Sequence, residues 1–145
     1  MIKNNSKITV YFIILFLVVL TNSISSTFFI TIFLSGVVFE IFIQSLEKKL
    51  FYISICSIIY FLFIEVIYGL PLFMFSLISL FIYYILLLRI KHLFSSVLLT
   101  QLTYTAIFYI LFFLIIWVLN HYDFTTYKLF LYNFLLDSIL IGLFV

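Results

Sequence analysis

Uninterrupted apolar runs, separated by short polar or turn-forming stretches, divide the chain into six: 8–24, 28–46, 50–68, 72–88, 97–119 and 129–145. A helix crossing a hydrocarbon core takes about 20 apolar residues, and about 17 are enough for a short span. The pattern therefore predicts an all-α fold: a polytopic membrane helical bundle of about six transmembrane helices, forming one integral membrane domain over residues 1–145. The breaks differ in kind. Thr21-Asn22-Ser23-Ile24-Ser25-Ser26-Thr27 is polar and uncharged, Glu47-Lys48-Lys49 and Arg89-Ile90-Lys91-His92 are basic, Gly69-Leu70-Pro71 is a breaker triplet, and Asn120-His121-Tyr122-Asp123 opens a loop reaching Lys128.

Composition agrees with the pattern. Of 145 residues, 68% are hydrophobic and only 8% charged, where a soluble domain carries about 25% charged residues to keep its surface hydrated. No appended soluble domain fits in what six spans leave over. The seven Lys and Arg residues are scattered, so no basic face for nucleic acid can be assembled. Twenty-one Phe against a single Ala point to packing by bulky side chains, where membrane helices usually approach through small residues. Cys56 has no partner cysteine, so no intramolecular disulfide forms. His92 and His121 fall in different connecting segments with no cysteine nearby and read as ordinary loop residues rather than a metal site.

Charge placement predicts orientation, because Lys and Arg are retained on the cytoplasmic side. With the N-terminus inside, the cytoplasmic segments hold Lys3, Lys7, Lys48, Lys49, Arg89 and Lys91, and the outer loops hold Lys128. The expectation is both termini inside. Lys3 and Lys7 followed by an apolar stretch and small polar residues also look like a secretory signal peptide. The Ser-Ile-Ser stretch is a poor cleavage site, which favours a retained first helix. Trp117, Tyr122 and Tyr127 surround the fifth loop, Tyr68 ends the third run, and Tyr83 and Tyr84 lie near the inner end of the fourth, as interfacial aromatics do. Tyr60 and Tyr109 fall mid-span, against that preference.

Three acids fall within the runs, and ionisable groups in hydrocarbon face protein or water and are functional candidates by default. Glu40 belongs to the stripe Gly36, Glu40, Gln44, which one helix face presents together. Two readings stand for it: an interhelical hydrogen-bond clamp, which is favoured, and a small polar cavity or docking surface. Asp137, with Asn133 one turn earlier, reads as a bridge between helices. Glu65 precedes Gly69-Leu70-Pro71, where Gly allows a left-handed helix stop and Pro starts the next helix without wasting a donor. The third and fourth runs must then form a tight hairpin. Across it Glu65 falls opposite Phe75 and Ser76, so its expected partners are the Ser76 hydroxyl or free backbone amides at the start of the next helix. A structural cap is the favoured role, a partner-binding contact the alternative.

The stretch from Phe63 to Arg89, with an acid at Glu65, then Gly69, Pro71-Leu72, a run of Leu and Ile, Tyr83-Tyr84 and a closing basic residue, resembles the signature of MreD, the rod-shape-determining membrane protein of bacteria. That family reads approximately Asp-x-x-x-Gly-x-Pro-Leu-Gly at this junction. Here Glu65 stands for the usual Asp and Phe73 for the second Gly, as in a divergent member. The resemblance implies a non-enzymatic component of the cell-elongation machinery in the bacterial inner membrane, supporting peptidoglycan synthesis. It further implies association with the bitopic protein MreC and with peptidoglycan-synthesis membrane proteins, and no cofactor.

A second expectation is a small transport component, such as the substrate-binding membrane subunit of a vitamin transporter, with Glu40, Asn133 and Asp137 converging on a cavity. An enzyme is the least favoured class. No His or Cys stands with an acid inside a run, so neither an activated nucleophile nor a metal pair is in view.

Overall fold

The computed structural model describes residues 2–27, 34–67, 69–87, 89–90, 94, 96–118 and 124–144. Every regular element among them is helical: α1 (Ile2–Thr27), α2 (Ser35–Glu47), α3 (Phe51–Ile67), α4 (Met74–Phe81) continuing into a π-helical turn (Ile82–Leu86), α5 (Val97–Val118) and α6 (Phe124–Phe144). Six helices thus fall on the six apolar runs, but with unequal lengths. Among the described residues, Val97–Val118 is the helix long and apolar enough to cross a membrane; Ile8–Ser23, Phe51–Ile67, Met74–Leu86 and Leu131–Gly142 are shorter apolar helices. Tyr68, Lys91, His92, His121, Tyr122 and Asp123, and the side chain of Tyr127, lie outside the described residues.

One sequence expectation needs correction. The polar stretch 21–27 is helical and does not break the chain. Thr21 Oγ1 donates to the Leu17 carbonyl at 2.8 Å and Ser23 Oγ to Val19 O at 2.9 Å, so these two hydroxyls are satisfied without ending the helix. The helix α2 opens at Ser35, immediately after Leu34 in the left-handed region (φ 47), and residues 28–33 of the second apolar run lie outside the described residues. At 1.5 Å rise per residue the 13 residues of α2 span about 20 Å, well short of a hydrocarbon core of about 30 Å.

This short helix is the centre of the bundle. Ser35 to Ile43 are all buried, and α2 packs on α3, α4, α5 and α6, while α1 packs at the edge on α3. Phenylalanines fill the middle. Phe108 on α5 stacks on Phe39 of α2, ring centroids 4.5 Å apart, and on Phe75 of α4 at 5.7 Å. Phe75 in turn meets Phe112 at 4.7 Å and Phe61 of α3 at 5.7 Å. Four helices therefore meet in one aromatic cluster, the bulky packing that the composition called for. Where bulk is absent, small hydroxyls substitute: Ser45 Oγ on α2 and Ser54 Oγ on α3 lie 2.7 Å apart.

Both hairpin turns are built alike. After α3, Gly69 is left-handed (φ 64), its amide donates to the Val66 carbonyl, and the Leu70 amide reaches back to Glu65 O at 2.8 Å. After α2, Lys49 takes the left-handed position (φ 55), its amide donates to Leu46 O, and the Leu50 amide reaches Ser45 O at 2.8 Å. Each is the paired 6→1 and 5→2 helix stop that a left-handed residue permits. Only the first was readable, because only there is the residue glycine.

The bundle alternates in direction. Tyr11 of α1 bonds Gln44 and Lys48 near the end of α2, and Tyr104 in the first half of α5 donates to the Leu87 carbonyl beyond the π turn at 3.1 Å. The start of α1, the end of α2, the segment after α4 and the start of α5 therefore share one end. Pro71, ahead of α4, lies instead beside Leu111 and Ile115 in the second half of α5.

Candidate functional site

Glu65 is held on the last turn of α3, nine residues before Met74 opens α4. The first amides of any helix lack intrahelical acceptors, and here a carboxylate supplies them: Phe73 N donates to Glu65 Oε2 at 2.6 Å and Phe75 N to Oε1 at 2.7 Å. Glu65 is fully buried. Of the two expected partners, the backbone amides are the ones used. The Ser76 hydroxyl is not: it is buried without a hydrogen-bond partner. Two amides of the first helical turn are aimed at one point by the backbone, so they take both carboxylate oxygens. Phe73, where the MreD pattern has its second glycine, has φ 64, a conformation that glycine adopts freely and other residues adopt at a cost of about 1–2 kcal/mol. Pro71 and Leu72 stand exposed on the outside of the turn.

A second carboxylate performs the same task for α2, from far away in sequence. Asp137 on α6 is fully buried, and its Oδ2 accepts from the Gly36 amide at 2.7 Å and from the Tyr109 hydroxyl. Ser35 Oγ donates to that same tyrosine oxygen at 3.3 Å. Gly36 is needed for this approach: a Cβ there would lie 2.6 Å from Asp137 Oδ2 and 2.9 Å from Thr105 Cγ2. The other oxygen, Oδ1, is buried without a partner. Asn133 is buried one turn earlier on α6. Asp137 thus ties α6 to both α2 and α5.

The mid-span tyrosines make sense in this light. Tyr109 is the donor that completes the Asp137 site, and Tyr60 receives a hydrogen bond from Asn22 Nδ2 on α1. Neither pairing was anticipated, although a tyrosine at mid-depth is itself a signal that a hydroxyl partner is buried nearby.

Glu40, in the middle of the polar stripe on α2, goes elsewhere. It lines a cavity of about 320 Å³ between the second half of α2 and the start of α5, together with Gln44, Glu47, Thr100, Gln101 and Tyr104. Glu40 is buried, and its Oε1 has no hydrogen-bond partner; neither has the buried Oε1 of Gln101. A buried acceptor left unmade costs about 1–3 kcal/mol, and both residues line the same space, which marks it as a polar site. Glu40 bonds Gln44 within α2 and stands in the wall of this cavity, the second of its two expected settings. Gln44 Oε1 accepts from Tyr11 OH at 2.8 Å and from Lys48 Nζ at 3.1 Å, joining the cavity wall to α1. The stripe divides between two sites, Gly36 serving Asp137 and Glu40 with Gln44 serving the cavity. Glu40, Asn133 and Asp137 do not converge, since neither residue of α6 lines this space.

On the outer side of the hairpin, Pro71, Leu72, Leu77, Phe81, Leu111 and Ile115 line an apolar groove of about 500 Å³. The remaining buried hydroxyls bond within their own helices, Ser57 to Ile53 O at 3.0 Å and Ser79 to Phe75 O at 2.7 Å, and so offer nothing to a ligand. Among the described residues no three of His, Cys, Asp and Glu stand together where they could hold a metal ion. No family model, curated protein or solved structure matches the chain.

Proposed function

We propose that this protein is an integral membrane scaffold of MreD type, with six membrane-embedded helices and both termini inside, in the cell-elongation complex of the bacterial inner membrane. The single observation that carries the reading is the clasp of Glu65 on the Phe73 and Phe75 amides across Gly69 and Pro71. It makes the spacing from the acid through Gly-x-Pro-Leu one structural unit, and left-handed Phe73 occupies the position where the family carries glycine.

The surface supports a membrane setting. Large apolar side chains stand outward on the outer helices: Phe16 on α1, Ile59 on α3, Leu77 on α4, Ile110 on α5 and Ile139 on α6 are each about 60% exposed, a surface that water would not tolerate over such an extent. The acids Glu40, Glu65 and Asp137 are turned inward. The shared end that holds Lys48 and the start of α5 agrees with a cytoplasmic face assigned by basic residues.

Function in this reading is binding rather than catalysis. The apolar groove beside Pro71 and the hairpin holding it present a rigid face to the transmembrane helix of an MreC-type bitopic protein or of a peptidoglycan-synthesis membrane protein, with van der Waals packing supplying the affinity. The test is co-purification with an MreC-type partner and cell shape in a strain dependent on this protein. Glu65→Leu and Pro71→Ala are expected to reduce partner recovery or to round the cells. Wild-type recovery and shape in both variants would remove the hairpin from the mechanism.

The transport reading keeps one supporting observation, the cavity at Glu40. A small molecule retained through purification would favour it.

A further inference from the structure

We propose that the cavity between α2 and α5 binds a primary ammonium group, carried either by a small free amine or by an aminophospholipid headgroup. Two residues of its wall, Glu40 and Gln101, carry buried oxygens without partners, Glu40 Oε1 and Gln101 Oε1. Every one of these is an acceptor, and a protonated primary amine brings three donors and no acceptor. An anion would meet acceptors only.

The surroundings agree. Gln44 and Glu47 belong to the last turn of α2, where the helix dipole favours a cation. Lys48 does not line the space; its Nζ donates to Tyr11 OH at 2.6 Å and to Gln44 Oε1 at 3.1 Å. Ile43, Phe94, Val97 and the Tyr104 ring supply an apolar wall for the carbon part of the ligand. The Tyr104 hydroxyl is turned away to the Leu87 carbonyl, so its ring is the part left to face a cation. About 320 Å³ lies at the small end of ligand pockets, which selects a headgroup-sized molecule.

The full chain in phosphatidylglycerol nanodiscs is titrated with ethanolammonium chloride by calorimetry. Saturable binding is expected, weakened at least about tenfold in Glu40→Gln and severalfold in Gln101→Leu, since each removes one acceptor. Tetramethylammonium, a cation without N–H donors, is expected not to compete. In a second arm, phosphatidylethanolamine is added to the nanodiscs and lipids retained by the protein are read by native mass spectrometry. Retention that is lost in Glu40→Gln identifies the headgroup as the source; ethanolammonium binding without lipid retention identifies a free amine. If Glu40→Gln does not fold, Gln101→Leu, on the cavity wall, carries the comparison. The proposal is overturned by no saturable binding in either arm, by equal competition from tetramethylammonium, or by unchanged affinity in the folded variants. Both arms use the protein alone, so their outcome is independent of the scaffold reading.

Discussion

Asp137 on α6 accepts a hydrogen bond at 2.7 Å from the backbone amide of Gly36, 101 residues earlier in the chain. A Cβ on residue 36 would lie 2.6 Å from the same carboxylate oxygen. The contact needs both the acid and the missing side chain, and it makes a buried helix start stable by giving its amide a charged acceptor. The Glu65 clasp on Phe73 and Phe75 repeats the arrangement within a hairpin. Both short helices of the bundle, α2 and α4, therefore begin on a carboxylate from another helix.

Gly36→Ala is expected to lower stability by about 2–4 kcal/mol, combining overpacking with a weakened charge-assisted bond. Thermal unfolding in detergent measures it. In an Asp137→Ala background the same change should do much less, with a coupling of at least about 1 kcal/mol. Additive losses would place the glycine's importance elsewhere.

Glu65→Leu leaves the Phe73 and Phe75 amides without their acceptor and should cost about 2–3 kcal/mol. Glu65→Gln retains one acceptor oxygen and should cost about half as much. Amide hydrogen exchange is the direct readout: the Phe75 amide, buried and bonded in the native protein, should exchange faster in Glu65→Leu than in Glu65→Gln.

Phe73→Gly should stabilise by about 0.5–1 kcal/mol. It relieves a left-handed conformation at φ 64 while giving up a side chain that is 52% exposed. Leu34→Gly is the contrasting case. Leu34 is also left-handed, but it is 7% exposed and packs into the core, so the lost packing outweighs the relief and the variant should be less stable by about 2 kcal/mol. Equal effects of the two changes would show that backbone strain is not what separates them.

Phe108→Ala removes the ring shared by Phe39, Phe61 and Phe75 and should cost about 3–5 kcal/mol. Far-ultraviolet circular dichroism should retain the helices while the thermal midpoint falls. A loss below about 1 kcal/mol would mean that the aromatic cluster is not the centre of the core.

The sequence by itself determined what short-range physics decides. Apolar runs marked six helices, Gly69 marked a left-handed stop, and Glu65 lay close enough to the next helix for its backbone amides to be named as partners. Each of these signals acts within about ten residues, through turn geometry and helix-end donors. Lys49 and Leu34 escaped notice because a left-handed backbone leaves a sequence mark only when glycine occupies it. The tertiary structure alone decided that Asp137 meets Gly36, that Asn22 meets Tyr60, and that Glu40 shares a cavity with Gln101. Those meetings depend on the rotation and depth of each helix. Apart from the stripe Gly36, Glu40, Gln44 on α2, the helices joined by the cluster are apolar on nearly every face and carry little to set that rotation, so it is settled by the phenylalanine cluster that locks four of them together.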